Sequence, residues 1–228
     1  MKPLALFVTG TDTGVGKTRV AAGLCRAYAA RGLRVAAMKP IASGCTAGPS
    51  GLRNDDALAL QRAMTVRAAY VEVNPYAFAE PIAPHIAAAE AGTTIDFDRL
   101  DRAFDRLALQ SDVIVVEGAG GWLAPIDGER SFADLAMRWR TDVVLVVGLR
   151  LGCLNHALLT AEAVERRGLT LRGWVANAID SRFSRKDENI ATLRARIAAP
   201  CLGALEFAPE CAPDAVAARL DIASLCVA

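Results

Sequence analysis

A glycine-rich turn near the start of the chain carries the residue types that bind phosphate groups in proteins. The segment Gly10-Thr-Asp-Thr-Gly-Val-Gly-Lys-Thr18 follows an apolar run and opens a stretch with helical periodicity. Glycines let backbone N–H groups turn inward around phosphate oxygens, and the start of the helix adds its positive dipole end. In such a loop Lys17 can span the β and γ phosphates of a nucleoside triphosphate, and the Thr18 hydroxyl can ligate Mg²⁺.

The spacing of this loop departs in one place from the usual pattern. A glycine normally stands five residues before the Gly-Lys pair, where this chain has Thr11, and Gly10 lies one residue further back. The alternative is a glycine-rich strand-to-helix turn with an incidental lysine. Because the strand, the turn, the Gly-Lys-Thr sequence and the helical stretch occur together, the sequence favours phosphate binding.

Two acidic positions are candidates for completing a magnesium site, since Mg²⁺ prefers oxygen ligands in an octahedral shell. Glu117 ends the apolar run Val113-Ile-Val-Val, and the end of a buried strand is where ligands bind in an α/β sheet. Asp55 and Asp56 precede an apolar-periodic stretch, and one residue of the Asn54-Asp55-Asp56 group is expected to cap that helix. Spacing alone does not choose between the two aspartates, and a purely structural role is the alternative for Glu117.

The elements that must position these residues are short apolar runs alternating with longer helical stretches. Most of the runs are continuously apolar, as expected for strands buried on both faces of a parallel sheet. The alternation predicts an α/β fold with a doubly wound, mainly parallel sheet in three layers, as in P-loop NTPases. The predicted strands are Leu4–Thr9, Arg34–Lys39, Val113–Glu117, Val143–Gly148, Leu171–Asn177 and Cys201–Leu205. Helices are predicted near 17–31, 55–64, 97–110, 131–140, 154–168 and 187–198.

Other stretches of the chain lack this alternation. Ser43–Arg53 is rich in Gly, Ser and Pro and is predicted to be a mobile loop. Residues 70–96 have three prolines and no clean period, and they are predicted to form a structured excursion near the site. Gly32 and Gly168 stand where a helix is expected to end in a left-handed residue. No repeat or linker is visible, so residues 1–228 are predicted to form a single domain.

Composition disfavours several classes of function. Hydrophobic residues make up 53% and charged residues 22%, which predicts a folded globular protein. The 26 Lys and Arg against 25 Asp and Glu leave no basic excess for non-specific nucleic-acid binding. No run approaches the ~18 apolar residues of a membrane helix, and the N-terminal run, which stops at Val8, is too short for a signal peptide. The cysteines form no metal-binding pattern and are predicted to be reduced thiols of a soluble cytoplasmic protein: Cys25, Cys45, Cys153, Cys201, Cys211 and Cys226.

Together with several further segments, these residues resemble the dethiobiotin synthetase family. The resemblance runs in order from residue 4 to about residue 207 and includes segments unrelated to nucleotide binding. The phosphate loop by itself is unspecific, whereas the whole set is specific to this family. The segments are Thr9–Thr18, Lys39–Gly44, Leu52–Leu58, Asn74–Pro81, Glu117–Trp122, Leu151–His156 and Gly173–Asn177.

The resemblance implies an ATP-dependent cyclo-ligase of biotin biosynthesis that forms carbon–nitrogen bonds. In this family 7,8-diaminononanoate, CO₂ and ATP, with Mg²⁺, give dethiobiotin, ADP and phosphate. One amine captures CO₂ as a carbamate, ATP phosphorylates the carbamate, and the second amine closes the cyclic urea. Cations held between the carbamate and the γ-phosphate would reduce their repulsion and stabilise the charge of the transferring phosphoryl group.

The resemblance also implies the residues of the site. Lys39 and Lys17 correspond to the catalytic positions, and a solvated strand terminus is the alternative for Lys39. Thr18, Asp56 and Glu117 correspond to metal ligands. The implied substrate contacts are Ser43, Thr13, Gly152 and Asn155. The implied ATP-binding residues are Gly14, Val15, Gly16, Lys17, Thr18, Arg19, Asp56, Glu117, Gly118, Ala119, Gly120, Asn177, Ala178, Glu206, Phe207 and Ala208.

In the family the region corresponding to Leu151–Asn155 grips the substrate carboxylate from the partner subunit, which implies a homodimer with its site at the subunit interface. An ordinary helix cap is the alternative for Asn155, and an ordinary turn asparagine is the alternative for Asn177, which matches the adenine-reading position. The family commonly has a proline where this chain has Glu206, and often a tyrosine near Asn189. We therefore expect recognition of the adenine base and of the substrate's tail to differ in detail from that of the family.

Two other functions share the loop and the predicted fold. An amide synthetase of the corrinoid pathway would need a glutaminase domain, for which 228 residues leave no room. A regulatory ATPase typically carries a second lysine early in the loop, where this chain has Thr11-Asp12-Thr13. Such a switch often ends in a membrane-seeking helix, whereas Asp214–Ala228 has no basic apolar helix. The sequence favours the enzyme, and neither nucleic acid nor membrane is expected as a partner.

Overall fold

A six-stranded parallel sheet forms the centre of the computed structural model, which describes residues 3–208 and 210–225. Cys226, one of the predicted thiols, lies outside these residues. The strands are β1 (Leu4–Gly10), β2 (Val35–Met38), β3 (Ile41–Ala42), β4 (Thr46–Gly48), β5 (Gly51–Arg53), β6 (Tyr76–Ala77), β7 (Val113–Glu117), β8 (Asp142–Leu149), β9 (Leu171–Ala178) and β10 (Cys201–Leu205). The central sheet has the order β10-β9-β8-β1-β7-β2, and its strands run parallel throughout.

The helices connect these strands across both faces of the sheet. Each of the six helices predicted from sequence is confirmed to within about two residues at either end, the usual uncertainty of helix boundaries. The helices are α1 (Lys17–Ala29), α2 (Asp55–Ala63), α3 (Tyr70–Val73), α4 (Pro84–Glu90), α5 (Phe97–Leu109), α6 (Phe132–Trp139), α7 (Cys153–Arg166), α8 (Lys186–Arg196) and α9 (Pro213–Ala217), with a 3₁₀ turn at Ala223–Leu225.

The apolar side chains divide into two cores, one on each face of the sheet. In β1 the side chains of Leu6 and Val8 belong to the core that includes α1, α2 and α9. Those of Ala5 and Phe7, which point to the opposite face, belong to the core that includes α5, α6, α7 and α8. This burial on both faces explains the continuous apolar runs, and the predicted doubly wound, three-layer α/β fold is confirmed.

The segment between β2 and α5 is more regular than its sequence indicated. Inside the predicted mobile loop Ser43–Arg53, β4 and β5 pair as an antiparallel hairpin, so the prediction of a loop was wrong there. The turn depends on Gly51, whose φ of 94° favours glycine. Strands of three residues are too short to show alternation in the sequence.

The predicted structured excursion over residues 70–96 is confirmed, and it supports the end of β2. It contains α3, β6 and α4, and β6 pairs in parallel with β3. The N–H of Lys39 donates to the Val73 carbonyl at 2.8 Å. The Asn74 amide donates to the Lys39 carbonyl at 2.8 Å and to the Tyr76 carbonyl at 3.0 Å. The excursion therefore holds the backbone of Lys39 in place.

Two local expectations from the sequence are also met. Gly32 and Gly168 have φ values of 79° and 72°, which confirms left-handed residues at the ends of α1 and α7. The cysteines at 25, 45, 153, 201 and 211 are free thiols. Among residues 3–208 and 210–225, no helix is both long and apolar enough to cross a membrane.

Candidate active site

The predicted phosphate loop connects β1 to α1 at the carboxyl edge of the sheet. Gly14 and Gly16 have φ values of 73° and 91°, where a residue with a side chain would be strained. No side chain caps the start of α1, so none competes with a phosphate for the N–H groups of its first turn. Lys17 folds over the loop, and its Nζ donates to the carbonyls of Asp12 at 2.8 Å and Gly120 at 2.7 Å.

The departure in loop spacing has a structural explanation. The N–H of Thr11 donates to the carbonyl of Val146 in β8 at 3.0 Å. This hydrogen bond completes the last pair of the β1–β8 ladder, Gly10 with Val146, so Thr11 directly follows the strand. The φ of Thr11 is not positive, so a glycine is not required at this position.

A buried group of charges lies beside the loop. Lys39 Nζ donates to Glu117 Oε1 at 2.6 Å, to Asp56 Oδ2 at 3.1 Å and to the Gly118 carbonyl at 3.1 Å. The side chains of Lys39 and Glu117 are only 4% and 1% exposed. Thr18 Oγ1 also donates to Glu117 Oε1, at 2.8 Å. The structure thus brings together five residues that the sequence placed in the site, four of them through their side chains.

The electrostatics of this group keep Lys39 positively charged. Burial works against the charged form of Lys39, yet the carboxylates of Glu117 and Asp56 outweigh it and raise the pKa of Lys39 above its ordinary value. Burial also raises the pKa of Glu117, and the contact with Lys39 opposes that rise. For Asp56 burial is again the largest effect, but Lys39 and the Thr18 hydroxyl outweigh it and the pKa is lowered. Glu117 therefore depends on a neighbouring cation to stay ionised.

Lys17 is the second ammonium group of the site, and it loses its proton more readily than Lys39 does. Burial, and next the charge of Lys39, lower the pKa of Lys17 to about 8. Two cations crowd one buried region, so each favours loss of the other's proton. A triphosphate would add negative charge beside both groups, and we expect it to raise the pKa of Lys17.

These residues line a cavity of about 760 Å³. Its lining includes twelve residues that the sequence assigned to the site: Thr13, Gly14, Gly16, Lys17, Thr18, Arg19, Lys39, Ser43, Asp56, Glu117, Ala119 and Gly120. The rest of the lining consists of residues that the sequence did not assign to the site: Ala42, Asn54, Pro81, Ile82, Ala83, Pro84, Gly121, Ala124 and Pro125. For the wall at residues 81–84, the prolines of the excursion were the available signal.

The cap of α2 decides which aspartate faces Lys39. Asn54 is the N-cap, and its side chain accepts from the N–H of Ala57 at 3.2 Å. The same amide donates to the Ser43 carbonyl at 3.3 Å. Asp56 faces Lys39, whereas Asp55 is exposed to solvent. The expectation that one of the three residues caps the helix is confirmed for Asn54.

The residues predicted at the base end of the nucleotide form a separate group at the ends of β9 and β10. Arg19 Nη1 donates to Asn177 Oδ1 at 2.8 Å and to the Glu206 carbonyl at 3.0 Å. Asn177 Nδ2 donates to the Val15 carbonyl at 2.8 Å. The remaining residues that the sequence placed in ATP binding are Gly118, whose carbonyl meets Lys39, Ala178 at the end of β9, and the partly or fully exposed Phe207 and Ala208.

Two predicted substrate contacts are not brought to the cavity within one chain. Gly152 and Asn155 are exposed at the start of α7, where Gly152 is the N-cap with a φ of 94°. The adjoining Leu151 is 94% exposed. The preceding residue, Arg150, forms an ion pair with Asp12 of the phosphate loop.

The residues beside Lys39 fit a hard divalent cation. Glu117 Oε2 is buried and has no hydrogen-bond partner among the described residues. The Thr18 hydroxyl and the Asp56 carboxylate lie beside the same group. The described parts of the chain contain no cluster of three or more His, Cys, Asp or Glu that could hold a metal ion. This donor set suits Mg²⁺, which is usually bound by one or two carboxylates together with phosphates and water.

Comparison with known proteins gives relatives that match nearly the whole chain. The ATP-dependent dethiobiotin synthetase BioD of Pseudomonas aeruginosa is 54% identical over 222 residues, covering 97% of each protein. The proteins of the same name from Cellvibrio japonicus and Xanthomonas oryzae pv. oryzae are 50% and 48% identical, covering 99% and 97% of this chain and 99% of each relative. A sequence family described as an AAA domain matches residues 5–215.

Solved structures with the same fold are more distant in sequence. The MinD protein in a MinC:MinD cell division complex of Aquifex aeolicus superposes with a TM-score of 0.57 at 18% identity, covering 96% of this chain and 87% of that one. The septum site-determining protein MinD with Mg-ADP from Pyrococcus horikoshii gives 0.53 at 17% identity, with 92% and 83% covered. At this identity the likeness supports the fold.

Proposed function

The chain belongs to the family of ATP-dependent dethiobiotin synthetases, and we propose that it carries out the family's reaction in the cavity between the phosphate loop and Lys39. It is a ligase of biotin biosynthesis that forms carbon–nitrogen bonds, with 7,8-diaminononanoate, CO₂ and ATP as substrates. One observation carries the assignment of the site. Two ammonium groups, Lys17 and Lys39, line the same cavity as the phosphate loop and two carboxylates.

The reaction must bring two anions together. An amine of the substrate attacks CO₂ to give a carbamate and releases a proton. A carbamate oxygen then attacks the γ-phosphorus, and ADP leaves. The second amine attacks the carbon of the mixed anhydride, loses its proton and expels phosphate, which closes the cyclic urea. Lys17 and Lys39 lower the repulsion between carbamate and triphosphate and stabilise the charge that spreads over the transferring group.

Mg²⁺ is proposed as the metal of the reaction, held by Thr18, Asp56 and Glu117. When bound, it supplies positive charge that polarises and neutralises the phosphate oxygens. The buried, unpartnered Oε2 of Glu117 and the adjacent hydroxyl of Thr18 support this proposal. Lys39 already contacts both carboxylates, so we propose that it exchanges part of this contact for substrate oxygens when the site fills.

The remaining predicted contacts divide between the two ends of the substrates. We propose that Asn177, Ala178 and the segment 206–208 bind the base of ATP beyond Arg19. Ser43 and Thr13 are proposed to contact the diamine, because both line the cavity beside Lys39. The wall formed by residues 81–84 is apolar, which suits an aliphatic chain.

Phosphate release tests this function with the purified protein. We expect release from Mg·ATP only when both the diamine and bicarbonate are present, and a product with the mass of the diamine plus CO₂ minus water. A monoamine of the same chain length is the matched control, because it forms a carbamate but has no second amine to close the ring. Phosphate release that ignores the diamine and bicarbonate would point instead to a switch ATPase.

A homodimer whose partner completes the site is proposed from the exposed start of α7. Leu151 is 94% exposed, and the neighbouring Gly152 and Asn155 lie outside the cavity of their own chain. A helix start has free N–H groups that can hold a carboxylate. A partner subunit would both cover the leucine and bring these groups to the substrate's carboxylate.

Leu151→Asp tests the dimer. We expect the variant to sediment as a monomer and its KM for the diamine to rise by roughly tenfold or more, since a buried charge opposes association. ATP binding should be retained. Leu109→Asp is the control, because Leu109 is 84% exposed at the end of α5 and has no proposed role. A Leu151→Asp variant that stays dimeric with an unchanged KM contradicts the proposal.

A cytoplasmic location is proposed as well. The substrates ATP and bicarbonate are metabolites of the cytoplasm, and free thiols are typical of proteins in a reducing compartment.

A further inference from the structure

Arg19 joins three parts of the chain at the base end of the proposed nucleotide site. Its Nη1 donates to the Asn177 side chain at the end of β9 and to the Glu206 carbonyl beyond β10. The Asn177 residue is only 3% exposed and is held from the other side by its bond to the Val15 carbonyl. Arg19 Nε and Nη2 are buried and have no hydrogen-bond partner among the described residues. Within the described part of the chain, the hydrogen bonds of this guanidinium are therefore made by Nη1.

These contacts permit only one orientation of the Asn177 amide. A guanidinium only donates hydrogen bonds, and a backbone carbonyl only accepts them. Rotating the amide by half a turn would set its NH₂ group against the donors of Arg19 and its oxygen against the oxygen of Val15. Both hydrogen bonds would be lost at a buried position, where an unpaired polar group is costly.

The fixed amide still has bonding capacity for a ligand. An asparagine side chain offers two lone pairs and two N–H donors. Arg19 takes one lone pair and Val15 takes one N–H, so one acceptor site on Oδ1 and one donor on Nδ2 remain. This pair matches the edge of adenine, which presents an amino donor at N6 beside the acceptor N7. Guanine presents two acceptors, O6 and N7, and its O6 would face the oxygen of the amide.

We propose that Arg19 determines the preference for adenine by holding the Asn177 amide in the orientation that matches adenine. The inference rests on the proposed nucleotide site and adds a specificity determinant to it. Arg19 acts here as a positioning residue, since its effect passes through Asn177. Arg19 also holds the Glu206 carbonyl, and this second contact has a different consequence. If Arg19 only held this loop, its loss would weaken the binding of all nucleotides alike. If Arg19 fixes the Asn177 amide, its loss changes the ratio of the affinities for ATP and GTP.

The ratio of the dissociation constants for ATP and GTP is the measurement that separates these roles. We expect the wild type to prefer ATP and Arg19→Met to lower this preference by roughly tenfold, because only the bond to the Val15 carbonyl then holds the amide in the orientation that pairs with adenine. Arg19→Lys should keep most of the preference, since an ammonium also only donates. Arg26→Met is the matched control: Arg26 lies on the same helix and pairs with Asp214 at 2.7 Å. Its ratio should equal that of the wild type.

Asn177→Ala completes a double-mutant cycle. If the arginine acts through the amide, Arg19→Met should cause no further change of the ratio in the Asn177→Ala background. Should that variant fail to fold, the comparison of Arg19→Met with Arg19→Lys decides alone. An unchanged ratio in Arg19→Met, or equal weakening of ATP and GTP, overturns the inference. A wild type that binds no nucleotide would instead refute the proposed function, and the two failures are therefore distinguishable.

Discussion

Replacing Lys39 by methionine is expected to lower kcat by roughly 100-fold or more while the dissociation constant for ATP changes by about threefold at most. The ammonium of Lys39 is placed to stabilise charge that develops while the phosphoryl group moves between carbamate and ADP. Methionine has a similar length and no charge, so the substitution mainly removes stabilisation of the transition state. ATP keeps its contacts with the glycine-rich turn and Lys17.

The same substitution is also expected to lower the stability of the fold. Lys39 neutralises Glu117, and both side chains are almost completely buried. Removing one partner of a buried ion pair typically costs about 3–5 kcal/mol of stability, because the other charge is left uncompensated. Thermal melts with and without Mg·ATP must therefore accompany the kinetics. A lower melting temperature that Mg²⁺ partly restores would fit a cation replacing the ammonium.

Controls separate the charge of Lys39 from its position. Lys39→Arg keeps the charge, although a planar guanidinium places it differently. Lys186→Met removes an ammonium that pairs with Glu206, and neither residue lines the cavity of Lys39, so kcat should be unchanged. Wild-type turnover in a folded Lys39→Met variant would remove Lys39 from the catalytic role.

Glu117→Gln is expected to raise the Mg²⁺ concentration at half-maximal activity by at least roughly tenfold. A glutamine side chain is nearly isosteric with glutamate, but it cannot supply the negative charge that attracts a hard cation. The same change leaves Lys39 with only Asp56 as an acidic partner, so turnover at saturating Mg²⁺ should fall as well. The titration of phosphate release against Mg²⁺, at fixed ATP and diamine, measures both effects.

Asp55 supplies the matched control for this metal titration. Asp55→Asn removes a carboxylate from the first turn of the same helix that carries Asp56, but Asp55 is exposed and makes no contact with Lys39. Its metal requirement should equal that of the wild type. An unaltered Mg²⁺ dependence in Glu117→Gln would show that Glu117 serves only to balance the charge of Lys39.

The likeness to MinD structures shows how little the fold alone says about the chemistry. These proteins share the sheet and its helices with this chain at 17–18% identity. In this chain the site contains the buried ion pair of Lys39 and Glu117 and the proline-containing wall at residues 81–84. Function resides in such local groups of side chains, and the same fold carries many of them.

Short sequence patterns by themselves determined the strands and the phosphate loop that form this site. The apolar runs of β1 and β7, the glycines of the phosphate loop and the acidic end of β7 are each contained within a few neighbouring residues. A parallel sheet gathers the ends of its strands at one edge, so Lys17, Lys39 and Glu117 could be expected near each other from their places in the sequence. The hairpin of β4 and β5 was missed because its strands are too short to show a period.

Only the tertiary structure decided which side chains touch. Asp56 rather than Asp55 meets Lys39 because the Asn54 cap sets where α2 begins. Glu117 lies 78 residues beyond Lys39, and Asn177 lies 158 residues beyond Arg19. No periodic pattern in the sequence predicts a contact between residues that lie so far apart along the chain. These pairs form when helices and loops pack against the sheet, and their distances follow from the whole arrangement rather than from any segment of the chain.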